Sequence, residues 1–194
     1  MSRSLGCLFE VVETLLVTLV FFLVVQLFVA QPFHVEQPSM ENTLMPDQYV
    51  LVDKITPRFT DYQRGDIVVF NPPGNWAPGT SGTPYIKRVI AIANDTVDIH
   101  GGHVFVDGKE LSEPYLYQGQ PTQPLDPAKH VWTLTAGQLF VMGDHRADSQ
   151  DSRVFGPIDK SSVIGRALIR YWPLANFGPI SAPKEAATSP TATP

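Results

Sequence analysis

The run from Leu15 to Ala30, LLVTLVFFLVVQLFVA, has no ionisable side chain and only two polar ones, Thr18 and Gln26. It constrains the chain more than any other feature, because a helix that is apolar all round must be buried on every side. Extended back to Leu8 it covers 23 residues, interrupted by Glu10, Glu13 and Thr14. About 20 mostly apolar residues suffice to cross a bilayer as a helix. Three readings compete. A cleaved leader has a basic start, a short apolar core and small residues before the cut. Here the start carries only Arg3, and Phe28 stands where a small residue is wanted. A fully buried core helix shares the apolar pattern. A retained membrane anchor fits the length and the flanks best. Arg3 precedes the run and residues 31–50 carry no Lys or Arg, which orients the N-terminus inside and the following chain outside. Cys7, the sole cysteine, then faces the reducing side. One cysteine also rules out an intramolecular disulfide and a Cys-rich zinc site.

The charged fraction is 17%, below the roughly 25% of an average domain, and the apolar run explains part of the deficit. The net charge is −5 with no basic stripe, which argues against nucleic acid as a partner. Eighteen prolines argue against a helix bundle, since each removes a backbone donor. Beyond residue 31 no run has a convincing 3.6 period. Short β-branched and aromatic runs recur instead: Tyr49–Val52, Ile67–Phe70, Thr83–Ala93, Gln138–Met142 and Val163–Trp172. His103–Leu111 reads as a hairpin around Asp107-Gly108. The expected fold is therefore mainly β, an antiparallel β-sheet domain behind one N-terminal transmembrane helix. Residues 1–30 form the cytoplasmic start and anchor, 31–180 the extracytoplasmic domain, and 181–194 a small, polar, disordered tail.

Metal chemistry finds little support. His100 and His103 flank a Gly-Gly turn with no fixed face to align them. The stretch Asp144–Asp151 lacks the glycine and terminal glutamate of a calcium loop. No G-x-S-x-G elbow occurs. Three other segments are more informative. Ser39 lies nine residues beyond Ala30, between Pro38 and Pro46, on a stiff stretch close to the anchor. Lys87 and Arg88 are adjacent cations inside TPYIKRVIAIA. Alternation puts Tyr85, Lys87, Val89 and Ala91 on one face and Ile86, Arg88, Ile90 and Ile92 on the other. Two readings stand for this pair: an edge strand with snorkelling cations, or a desolvated lysine that loses its proton near neutrality and serves as a general base. The third segment, Met142–Gly156, is dense in polar groups directly after a strand.

Together these segments resemble the bacterial type I signal peptidases, membrane-anchored serine endopeptidases with a Ser/Lys dyad. Ser39-Met-Glu-Asn-Thr-Leu44 is similar to the family's S-M-x-P-T-L box. Gly65–Phe70 is similar to its G-D-[IV]-V-x-F box, Tyr85–Val89 to Y-[IV]-K-R-[VI], and Gly143–Gly156 to G-D-N-R-x-x-S-x-D-S-R-x-[FWY]-G. Four boxes in family order are specific where each alone is weak. The resemblance implies a mostly antiparallel β fold and removal of signal peptides with small residues at −1 and −3. It implies Ser39 as nucleophile, Lys87 as general base, and Ser149 as a hydrogen-bond partner that orients the lysine amine. It implies Arg88–Asp144 and Asp151–Arg153 pairs that hold the two segments together, and the Ser39 backbone N–H in the oxyanion hole. Phe33, Val35, Met40, Leu44, Tyr85 and Ile86 would line the substrate pockets. No metal or organic cofactor is needed, and the implied partners are preprotein signal peptides and a lipid bilayer, at the bacterial cell membrane. The sequence departs from the family at Asn42, where a proline is usual and its loss is expected to loosen the turn. It departs again at His145, where an asparagine is usual, and at Gln37, where many relatives have a small oxyanion-binding side chain. The second donor is then either the Gln37 amide or a water. Trp76, in PPGNWAPG, is expected to touch the headgroup region.

Overall fold

The apolar run folds as α1 (Arg3–Val24), continued by a π turn over Val25–Val29. Phe9–Val29 is long and apolar enough to cross a membrane, and the rest of the chain buries none of its 18-residue apolar window. A core helix would be covered, so that reading fails. The structure, a computed structural model, describes residues 3–74, 76 and 82–180, and the side chains of residues 3–5, 7 and 8 fall outside it. The expected tail at 181–194 and the Cys7 side chain therefore lie outside the described residues.

From Ala30 onward the chain is built of strands: β1 (Ala30–His34), β2 (Tyr49–Asp53), β3 (Ile67–Phe70), β4 (Tyr85–Ala91), β5 (Thr96–His100), β6 (His103–Val106), β7 (Lys109–Glu110), β8 (Val131–Thr133), β9 (Gln138–Met142), β10 (Ile158–Asp159), β11 (Val163–Trp172) and β12 (Gly178–Pro179). One α-helical turn, α2 (Ser152–Phe155), separates β9 from β10. The larger sheet runs β1-β2-β11-β3-β4-β9-β10, with β12 on β11, and the smaller runs β7-β6-β5-β8. Every pairing is antiparallel, and the mainly β expectation holds.

The apolar runs fix which strands are central. All four residues of β3 are buried. Ile67 and Val69 join Val35, Met40, Leu44 and Val50 in one core. Val68 and Phe70 join Tyr62, Val89, Val141 and Ile158 in another. A strand covered on both faces has no polar alternation to show, so it reads as a continuous apolar run. A third core lies between the sheets, where Ile90, Phe140 and Met142 meet Val97, Ile99, Val104 and Trp132. In the β6–β7 hairpin Asp107 and Gly108 adopt φ of 54° and 74°, the doubly left-handed turn that matches strand twist.

One of the two readings of β4 and two expectations need correction. β4 is not an edge strand, because it lies between β3 and β9. The strict alternation expected along it also breaks. A register shift against β9 falls between Val89 and Ala91, so Ala91 packs with Ile90 while Ile92 packs on the core that holds Val89. One extra residue in a bulge moves every later side chain to the opposite face. Trp76 is 2% exposed. Its ring stacks on Phe155 at 5.1 Å and meets the edge of Phe70 at 5.4 Å. This aromatic pocket, not a headgroup layer, takes the indole out of water.

Candidate active site

Ser39 sits in a single 3-10 turn, Pro38–Met40, just after β1. Pro38 takes the first helical position, and Gln37 before it is extended, φ −108° and ψ 150°, as a residue preceding proline tends to be. Lys87 comes from the middle of β4. Ser39 is 3% and Lys87 1% exposed, and Lys87 Nζ donates to Ser39 Oγ at 2.5 Å. Burial pulls the Lys87 pKa down to about 8, against the opposing pull of the Asp151 carboxylate, while Arg153 adds to the fall. At neutral pH a measurable fraction of this amine is therefore unprotonated, in contact with a hydroxyl. That pairing can remove the hydroxyl proton, and few other contacts between two buried polar side chains can.

Arg88, next along β4, is fully buried and meets its charge in full. Its Nε and Nη2 donate to the two Asp144 oxygens at 2.8 and 2.6 Å, and Nη1 donates to the Gly65 carbonyl at 2.9 Å. The guanidinium lies 4.0 Å from the Tyr115 ring centre. Thr43 Oγ1 accepts from Arg88 Nη2 at 3.0 Å and donates to Asp144 at 2.5 Å. The ion pair thus fastens β4, the segment after β9 and the turn after Ser39 to one another. The Asp151–Arg153 pair does something different from the expectation. Arg153 Nε and Nη2 donate to Asp151 at 2.9 Å each, and Nη2 also donates to the Arg146 carbonyl at 2.7 Å. Both partners belong to the same loop, so this pair shapes the loop itself. Burial pushes the Asp151 carboxyl up, but Arg153, Ser149 and the Gly143 N–H outweigh it and hold its pKa below the usual range.

The expected Lys87–Ser149 hydrogen bond is not formed. Ser149 Oγ donates to Asp151 Oδ2 at 2.7 Å. Asn42 does not loosen its turn either. It stands at φ 84°, which proline cannot adopt, and its amide donates to the Tyr115 and Leu116 carbonyls at 3.1 and 3.3 Å. His145 replaces the family asparagine without leaving the site. Its backbone N–H donates to the Ser39 carbonyl at 3.1 Å, its ring packs on Tyr117 at 4.2 Å, and Nδ1 lies 3.0 Å from Glu41.

A groove of about 420 Å³ opens beside Ser39, lined by Phe33, Val35, Tyr85 and Ile86, with Val50 and Val69 at its base. Gln37 lines it too. Met40 and Leu44 were expected here, but both are 0% exposed and pack in the core behind the nucleophile turn. Their part is to hold that turn from below.

The family model for signal peptidase, peptidase S26, matches residues 8–172. The chain belongs to the signal peptidase family. It is 39% identical over 171 residues to a probable signal peptidase I-1 of Synechocystis, covering 87% of this chain and 85% of the relative. It is 33% identical over 178 residues to a signal peptidase I of Leptolyngbya laminosa, at 91% and 85% coverage. A crystal structure of a signal peptidase I from Enterococcus faecalis superposes with a TM-score of 0.44 at 28% identity, over 55% of this chain and 97% of that one. As a member of this family the chain is a serine hydrolase of the signal peptidase I kind, and its substrates are preproteins bearing signal peptides.

Several contributors to this site carry no signal of their own in the sequence. Arg146 is 2% exposed, donates to the Gly143 carbonyl at 3.0 Å, and pairs with Glu113 and Thr122. Thr43 and Tyr115 complete the cage around Arg88. Arg146 stands in the Gly143–Gly156 box, but nothing in the sequence points from it to Glu113, 33 residues away. Among the described residues no group of three His, Cys, Asp or Glu converges as metal ligands would.

Proposed function

We propose that this chain is a single-span membrane enzyme whose Ser39 attacks the peptide bond at the end of a signal peptide, with neutral Lys87 as general base. The observation that carries the reading is the 2.5 Å contact between two buried groups at the mouth of an apolar groove. Unprotonated, Lys87 takes the Ser39 proton as Oγ bonds to the scissile carbonyl carbon. The ammonium so formed returns that proton to the leaving amine, and water then hydrolyses the acyl-serine by the same route in reverse order. The Ser39 backbone N–H and the Gln37 amide, which lines the groove, stabilise the oxyanion. Asp151 accepts the Ser149 hydroxyl proton in a hydrogen bond, which leaves the Ser149 oxygen free to accept from the Lys87 amine and orient it during the reaction. Arg88, Asp144 and Arg153 keep their charges and position the dyad.

The apolar side chains in the groove wall, Phe33, Val35 and Ile86 among them, suit small apolar side chains at −1 and −3. Residues 1–30 act as start and anchor, with the N-terminus inside and the strand-built part at residues 31–180 outside the bacterial cell membrane. Substrate and enzyme then meet within the bilayer plane. The reading involves no nucleic acid and no cofactor.

The test is processing of a membrane-inserted preprotein with alanine at −1 and −3. The full chain is expected to cut it, and Ser39→Ala and Lys87→Ala are expected to leave it intact with the fold preserved. Lys87→Arg should fail as well, because a guanidinium keeps its proton. Processing at the wild-type rate by any of the three would overturn the dyad. A binding-only role for the strand-built part would show as no cleavage by the wild type.

A further inference from the structure

We infer that a second groove, on the other side of Ser39, holds the residues that follow the cleaved bond, and that Asp148 selects among them by charge. The inference rests on the endopeptidase reading above. This groove has a volume of about 670 Å³ and is lined by Pro38, Leu125, Asp148, Ser149 and Val154, among others. It shares Gln37 and Tyr85 with the first groove. Ser39 lines the first groove, and Pro38, its neighbour in the chain, lines the second.

A peptide whose carbonyl sits on Ser39 Oγ must enter along one groove and leave along the other. The first is walled by Gln31–Gln37, a stretch that begins two residues beyond Val29, the end of the apolar helix. A signal segment rising from the membrane therefore reaches the first groove, and the mature sequence passes into the second.

Charge is unevenly distributed in that groove. Asp148 is exposed and is the single lining residue with a charge at neutral pH. Among the described residues it joins no ion pair. Three of the other charges close by are matched, Arg88 by Asp144, Arg146 by Glu113 and Arg153 by Asp151, and Asp148 also acts on the buried Lys87 amine, favouring its protonated form without pairing with it. A solvent-facing carboxylate with no ion-pair partner then biases the field where the mature N-terminus lies. A basic residue there is favoured and an acidic one opposed.

The experiment uses the full chain in liposomes and three preproteins identical except for Lys, Gln or Glu at the second residue after the cut. The expected result is kcat/KM in the order Lys, Gln, Glu, with the Lys-to-Glu ratio about three- to fivefold at low salt and smaller at 0.5 M salt, as for an exposed charge pair. Asp148→Asn should bring that ratio close to one, and Asp148→Lys should invert it. Because each enzyme is read as a ratio between its own substrates, a partial loss of folded protein does not alter the result. A wild-type ratio of one, or a ratio unchanged by both variants, overturns the role of Asp148 while leaving the endopeptidase reading intact. Cleavage of none of the three overturns that reading, and this inference with it.

Discussion

Lys87 is held in a state that costs the folded chain stability. Its pKa falls from 10.5 to about 8 because burial penalises the ammonium. The unfolded chain therefore binds the proton more tightly than the folded one, and stability rises with pH between the two values. Below about pH 8 the penalty is fully present, roughly 3 kcal/mol by the usual conversion, and above about pH 10.5 it is gone. Lys87→Met fills the same space without the charge. It is expected to raise the unfolding free energy by up to about 3 kcal/mol at pH 7, and the gain should vanish by pH 10.5, as read by denaturant melts at both values. For the wild type, kcat/KM should climb through an apparent pKa of about 8, and kcat through a lower one, since bound substrate excludes water and disfavours the ammonium further. A profile flat from pH 6 to 9 would be incompatible with a lysine base. At this scale the sequence left two readings of Lys87 open, and the family boxes favoured the base. Alternation places a side chain on a face of a strand. It cannot tell whether the strand is central, and that is what buries the amine.

The elements meet most closely at Gly143. This residue follows β9 directly, and a Cβ built on it would collide with the Ser39 carbonyl and the Ser149 side chain. The nucleophile turn can approach β9 this closely only because no side chain stands there. The backbone on one side cannot swing away, since the Ser39 carbonyl accepts from His145 N–H at 3.1 Å. Gly143→Ala should therefore displace Ser39 by a sizeable fraction of an ångström and reduce single-turnover cleavage about a hundredfold. The β signal in circular dichroism should persist. Cleavage within threefold of wild type would mean that the turn tolerates the shift. Much of this level was legible in advance. The runs at Ile67–Phe70, Gln138–Met142 and Val163–Trp172 are strands because each is too apolar to remain outside a sheet. β1 was hidden behind the anchor and contains Pro32, which an edge strand tolerates. β8, β10 and β12 span two or three residues, too short to show a period. β5 did alternate, with Val97 and Ile99 inward, but the glycines and histidines that follow it suggested a turn and drew attention from the strand.

For the whole molecule, the helix and the sheets are joined in sequence but contribute to separate problems. The described side chains of Phe9–Val24 are exposed and take no part in the three cores. The strand-built part thus has its full set of buried contacts without the helix, and a chain starting at Ala30 is expected to fold. What the helix supplies is encounter. If it spans the bilayer, enzyme and signal peptide diffuse in the same plane, and binding of the cleavage site becomes nearly intramolecular, an advantage of about 10² to 10⁴ in effective affinity. Removing residues 1–29 should therefore leave kcat/KM for a short water-soluble peptide within about twofold, since the dyad and both grooves are untouched. On preproteins inserted in liposomes, KM should rise by a factor in that same range of about 10² to 10⁴, with kcat little changed. The two assays run side by side separate the possibilities. Equal losses on both substrates would mean that the helix supports the fold, and no loss on either would mean that the apolar helix does not deliver the enzyme to its substrate.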